Sequence, residues 1–165
     1  MAGRFVDDPH MSNINKHSHR LRAGRFSAPN HMYMITAVTD QRRPLFSSFV
    51  AARTLINEFA NAQQDSLADT HAFVVMPDHF HWLCQLKDRQ SLSRVVQRVK
   101  SRTTRRLRQL DQGMPDRIWQ KGFHDHGLRK DKDIRQLARY IIANPLRAGL
   151  VSSVREYPHW DCIWL

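Results

Sequence analysis

The sequence predicts an α+β fold in which helices cover an antiparallel sheet. Three observations carry this. Runs rich in β-branched and aromatic residues fall at about 31–39, 71–76 and 79–84, as expected of strands on a pleated surface. Apolar residues recur at helical spacing over about 48–63, 91–110 and 133–144, which marks one buried stripe on each helix. With a further strand expected at about 118–128, the order is strand, helix, strand, strand, helix, strand, helix, without an internal repeat. That order gives layered packing but leaves the faces unassigned. The 165 residues suit one domain with a core of its own.

Charge narrows the function classes. Lys and Arg outnumber Asp and Glu by 26 to 15, a balance of +11, which points to a polyanion or an acidic surface as partner. The two cysteines, Cys84 and Cys162, form neither a disulfide framework nor a Cys-x-x-Cys metal site. No apolar run is long enough to span a bilayer, and the amino end lacks a signal-peptide core. The expected location is the cytoplasm, and no membrane partner is expected.

Residues 1–22 are polar and lack apolar periodicity, so they read as a flexible arm. His10, His17 and His19 within it read as solvated tail residues rather than ligands. Gly24, Arg25 and Phe26 lead into the first strand, 31–39. Ser47 or Ser48 can cap the first helix, with Val50, Leu55, Ile56 and Phe59 inward. The strand at 71–76, with His71 at its end, turns through Pro77 and Asp78 into the next strand. Both are turn formers, so a tight hairpin is expected.

In that next strand His79 and His81 flank Phe80. Successive strand side chains point to opposite faces, so both imidazoles share one face, with Phe80 and Trp82 on the other. Two neutral imidazoles and one further ligand would hold a metal with positions left for substrate oxygens. Two hydrogen-bonded strand histidines without a metal are the plainer alternative. Asp78 suits orientation of an imidazole from behind, or simply the turn.

Ser91 precedes a helix to about residue 110 that has Leu92, Val95, Val96, Val99 and Leu107 on its apolar stripe. Arg94, Arg98, Lys100, Arg102, Arg105, Arg106 and Arg108 crowd the remainder, with no acid between Ser91 and Leu110. Like charges one turn apart cost a few tenths of a kcal/mol each, by order of magnitude. Nucleic-acid phosphates would offset that cost and release condensed counterions; a merely solvated face is the alternative. After the loop 111–115, the strand expected at 118–128 carries a second pair, His124 and His126, around Asp125. The acidic middle residue and the flanking Gly122 and Gly127 make it the lesser metal candidate.

In the last helix Ile134, Leu137, Ala138, Ile141 and Ile142 form the buried stripe. Tyr140 and Asn144 fall beside it on successive turns of one face. Pro145 should kink or end the helix near Asn144, with Gly149 as a stop. Tyr33 and Tyr157 are formal rivals to Tyr140, but neither has Asn or Gln one helical turn along. Tyr157, Trp160 and Trp164 in the tail suit packing on the domain or stacking on bases.

His79-Phe80-His81 followed by Tyr140-Ile141-Ile142-Ala143-Asn144-Pro145 resembles the single-tyrosine HUH transposases, in particular the REP-associated tyrosine transposases of bacteria. Further matches are Gly24-Arg25, the strand from His31 to Thr36, Val75-Met76-Pro77-Asp78, and the segment from Trp119 to His126. The likeness implies a ferredoxin-like antiparallel sheet with an added C-terminal helix carrying the tyrosine, a catalytic unit over 23–151 and a tail over 152–165. It implies Tyr140 as nucleophile, and His79, His81 and Asn144 as ligands of a divalent metal, Mg²⁺ or Mn²⁺. Mn²⁺ suits imidazoles better. Arg25 becomes a candidate DNA contact beside the basic helix. The implied substrate is single-stranded DNA, a foldable palindromic repeat with a recognition sequence at the foot of its hairpin, and the implied location is the bacterial nucleoid. Family members with one tyrosine can act as dimers that share active sites in trans, so a homodimer is one partner the likeness allows, while the sequence leaves monomer or dimer open.

The chemistry follows from what phosphodiester cleavage needs. A phenol with an ordinary pKa of about 10 is mostly protonated at neutral pH, so a metal helps chiefly by stabilising charge on the phosphate. Attack by Tyr140 leaves a 5′-phosphotyrosine and a free 3′-OH, and rejoining reverses the step. Two alternatives from other classes stand beside this: a non-catalytic nucleic-acid-binding domain in which Tyr140 is structural, and a zinc protein using both His pairs, which chelation would unfold.

Overall fold

The computed structural model describes residues 30–88, 90–128 and 131–164, without the side chains of 131–133. The expected arm and Arg25 lie outside the described residues. Five strands form one antiparallel sheet: β1 (Met32–Val38), β2 (Ala68–Met76), β3 (His79–Leu86), β4 (His124–Leu128) and β5 (Trp160–Cys162), in the order β4-β1-β3-β2-β5. The helices are α1 (Phe49–Gln64), α2 (Leu92–Leu110), α3 (Asp131–Ile142) and the single turn α4 (Asn144–Arg147).

The sheet is covered on both faces, which explains why β3 is apolar on both. On one side Tyr33, Ile35, Phe73, Val75, Phe80, Trp82 and Cys84 pack against Leu55 and Phe59 of α1 and Val95, Val96 and Val99 of α2. Phe59 stacks on Trp82 with ring centroids 4.8 Å apart. On the other side Met32, Met34, Val74, Met76 and Leu83 pack against Ile134, Ala138, Ile141 and Ile142 of α3. Each large side chain fully buried this way contributes about 1.5–3 kcal/mol. Cys84 belongs to the first core and Cys162 to the second, so the sheet separates the two free thiols.

Several boundaries differ from the sequence reading. Ser48 caps α1, its hydroxyl accepting from the Ala51 amide, but Val50 is exposed because the apolar stripe begins one residue later, at Ala51. Ser91 takes the cap position of α2 without a side-chain cap bond. β2 starts at Ala68, so His71 sits not at its end but at a bulge between Thr70 and Ala72, stacked on Trp164. The fourth strand does not start at Ile118. Trp119 makes one isolated bridge to Thr39, the chain turns at Gly122 with φ 73°, and regular pairing begins at His124. Nor is it the last strand, because the tail supplies β5 beside β2. Among the described residues no helix is long and apolar enough to cross a membrane.

Candidate active site

The Pro77–Asp78 turn aims the His pair. Met76 pairs directly with His79, leaving a two-residue connection. Its carbonyls are pinned from outside: Phe46 N donates to Pro77 O at 2.9 Å, and Thr39 donates to Asp78 O through its amide at 2.8 Å and its hydroxyl at 2.9 Å. His79 and His81 then project on the α3 face, because Phe80 and Trp82 belong to the opposite core. Both histidines are buried, with ring centroids 5.0 Å apart.

Each imidazole is held at Nδ1. His79 Nδ1 lies 2.6 Å from Asp78 Oδ1, and Arg42 Nη1 reaches the other carboxylate oxygen at 2.9 Å. Burial alone would push the Asp78 carboxyl up; the His79 and Arg42 contacts outweigh it and hold the group below its ordinary value. An ionised Asp78 accepts from Nδ1–H, which leaves Nε2 as the outer nitrogen of the His79 ring. His81 Nδ1 lies 2.7 Å from Thr36 Oγ1. Burial, together with the neighbouring His79, drives His81 down to about 3, so its ring is neutral at physiological pH. A ring held at Nδ1, with Nε2 as its outer nitrogen, is the orientation that a metal-binding imidazole requires. Thr36 was not anticipated, because only the cross-strand register sets Thr36 opposite His81.

Tyr140 and Asn144 come from the helix layer on the same face. The helix breaks at Ala143 and resumes as α4, with Pro145 near its start. Pro145 has no amide to offer the Ile141 carbonyl four residues back. Asn144 Nδ2 takes that carbonyl at 2.9 Å and the Tyr140 carbonyl at 3.1 Å. Its two donors thus face the helix, and Oδ1 remains as the ligand-type atom. Among the described residues no group of three or more His, Cys, Asp or Glu is arranged to hold a metal. An amide oxygen, such as Asn144 Oδ1, is a ligand type outside those four. Tyr140 is half-buried, with the Arg147 guanidinium 4.1 Å from its ring centroid. The rival tyrosines have structural settings. Tyr157 donates to Val75 O at 2.7 Å and burial pushes its phenol up to about 12, while Tyr33 is buried on the α1–α2 side.

The basic helix does not join this site. α2 covers the opposite face of the sheet. Part of the expected anionic offset is internal: Arg102 and Arg106 pair with the buried Glu58 of α1 at 2.9 and 3.0 Å, and Arg98 and Arg102 pair with Asp65 at 2.8 and 3.2 Å. Lys100 donates to the Gln120 and Gly122 carbonyls, clamping the loop before β4. Arg94 and Arg105 are exposed. A cavity of about 530 Å³ lined by Arg98, Arg102, Arg105 and Arg106 opens along the helix. It is separate from the His pair.

A family model described as "Transposase IS200 like" matches residues 27–144, a span that contains both the His pair and Tyr140. A Haemophilus influenzae protein assigned as a REP-associated tyrosine transposase is 29% identical over 141 residues, covering 78% of this chain and 77% of that protein. The Escherichia coli REP-associated tyrosine transposase is 30% identical over 97 residues, 58% of this chain and 55% of that protein. The fold matches the solved structure of a REP-associated tyrosine transposase bound to a REP hairpin with a TM-score of 0.70 at 24% identity, over 83% of this chain and 79% of that one. It also matches a Deinococcus radiodurans crystal structure assigned as a transposase, with a TM-score of 0.53 at 19% identity over 72% and 93% of the two chains. The chain therefore belongs to the IS200-like transposase family, and it is similar to REP-associated tyrosine transposases.

Proposed function

We propose that this transposase is a metal-dependent endonuclease and strand transferase acting on single-stranded, hairpin-forming palindromic DNA through a 5′-phosphotyrosine. The observation that carries the reading is the packing of the Tyr140 helix on the sheet face that bears His79 and His81. A relative solved on a REP hairpin supports the substrate class. Tyr140 Oη attacks the scissile phosphorus, the bond to the 3′ oxygen breaks, and the strand leaves with a free 3′-OH while the phosphate stays on the tyrosine. Attack of another 3′-OH reverses the exchange, so no outside energy source is needed.

Arg147 packs on the Tyr140 ring and limits its directions of approach. His79, His81 and Asn144 Oδ1 would hold the divalent ion, Mg²⁺ or Mn²⁺, which when bound polarises the phosphate and stabilises charge developing on it. Asp78 and Thr36 orient the two imidazoles. Arg94 and Arg105 contact DNA directly, whereas Arg98, Arg102 and Arg106 share their charge with Glu58 and Asp65. Lys100 contributes through the loop it clamps, and Arg25 contacts the bases beside the cleavage site.

The test is incubation of the protein and its Tyr140→Phe variant with labelled hairpin oligonucleotides in Mn²⁺, followed by a denaturing gel. The oligonucleotides come from repeats flanking the protein's own gene. An adduct carrying the 3′-side fragment is expected, lost in Tyr140→Phe and on chelation. An adduct formed equally by Tyr140→Phe refutes the nucleophile assignment. Tight binding by both proteins without an adduct supports a binding module instead.

A further inference from the structure

The second histidine pair lies on the same surface as the first. Thr36 pairs with His81 on one side and with His124 on the other, so His124, Thr36 and His81 form one row across three strands. Residues directly opposite on neighbouring strands project from the same face, and His126, opposite Met34, shares it. Asp125, opposite Ile35, projects from the other face and does not intervene. His124 is two strand spacings from His81, roughly 10 Å.

Coverage of that face is uneven. Met32, Met34, Val74 and Leu83 are buried in the core under α3. Farther along β1, Thr36 and Val38 are only half-buried, and His124 and His126 are exposed. An open strip therefore runs from the His79–His81 pair over Thr36 to β4, the edge strand of the sheet. Two imidazoles on alternate residues of a strand lie about 7 Å apart along it, and their N–H groups can donate to anionic oxygens. With Asp125 on the other face and no His, Cys, Asp or Glu group of three among the described residues, a metal would find only two ligands there.

We propose that His124 and His126 form a subsite for a backbone phosphodiester of the DNA strand next to the scissile one, a proposal that rests on the nuclease reading above. Their task is to hold the strand in line across the open strip while the scissile phosphate sits over His79 and His81.

The test is equilibrium binding, in chelator, of a hairpin oligonucleotide from the repeats beside the gene. A set of copies each carries one uncharged methylphosphonate linkage near the hairpin foot. One or two adjacent linkages should weaken binding to wild type about tenfold, the weight of a charge-assisted hydrogen bond. The His124→Gln/His126→Gln variant should weaken binding of the unmodified strand by the same factor and feel no further penalty at those linkages. The single His124→Gln variant should show the same pattern more weakly and serves if the double variant is unstable.

Penalties that multiply at every linkage, or a variant that binds like wild type, overturn the subsite. A variant that has lost Mn²⁺ affinity also overturns it, because the pair is then a metal ligand. The covalent adduct separates this proposal from the reading it rests on. Non-additive penalties without a Tyr140-dependent adduct keep the subsite and sink the nuclease; an adduct with multiplying penalties does the reverse.

Discussion

Thr36 Oγ1 stands 2.7 Å from His81 Nδ1, across the β1–β3 register. The bond ties a strand chosen for its place in the core to the orientation of a ring in the site. Thr36→Val keeps the shape and removes the partner, leaving a buried ring nitrogen unsatisfied. Mn²⁺ affinity measured by calorimetry should fall about 10- to 100-fold, the usual weight of such a supporting contact. Unchanged affinity would show that Nδ1 is not the oriented nitrogen.

Acid should destabilise the metal-free protein through His81. Its pKa is lowered to about 3 in the folded state from an ordinary 6.5, so between those values the unfolded chain binds the proton and the folded chain does not. Stability is therefore full above about pH 6.5 and declines toward pH 3, by up to about 1.4 kcal/mol per pH unit for this group. His71 and His159, also lowered by burial, act in the same direction. Urea unfolding at stepped pH in chelator should give a shallower slope for His81→Gln than for wild type, and equal slopes would remove His81 as the cause.

Asn144 has two separable roles. Its Nδ2 replaces the amide that Pro145 lacks, and its Oδ1 is the proposed ligand atom. Asn144→Ala should cost about 1 kcal/mol of stability by the weight of a lost hydrogen bond, and Mn²⁺ affinity should fall. Adding Pro145→Ala returns a backbone donor to the Ile141 carbonyl. The double variant should regain stability and stay weak for Mn²⁺; recovery of both would make Asn144 a helix device alone.

Glu58 is buried against Arg102 and Arg106. Glu58→Gln removes the charge those arginines share and should cost about 1–3 kcal/mol, moderated because both guanidiniums keep access to water. It also leaves them more available to phosphates. The salt slope of single-stranded DNA binding should steepen by about 0.7 for each arginine released. A slope unchanged from wild type would place α2 outside the DNA footprint.

Local chemistry made much of this molecule legible in one dimension. Period-two alternation put His79 and His81 on one face, and Pro77–Asp78 gave the two-residue turn. Helical spacing set Tyr140 and Asn144 one turn apart beside the stripe that α3 buries. The weaker boundaries were those set by partners distant in the chain. Trp160–Cys162 becomes β5 only because β2 offers an edge, and Ile118 fails to start β4 because Gly122 turns the chain first.

What the sequence by itself determined was the chemistry available: two imidazoles, a phenol, an amide and a large positive charge. Only the tertiary structure decided their company. Sheet register brought Thr36 to His81 and set His124 in the same row, while packing put α3 on the sheet face that bears the His pair and sent α2 with its arginines to the opposite face. The physical reason is that periodicity specifies the face of a single element, whereas register and layer order come from hydrogen bonds and burial between elements far apart in the chain.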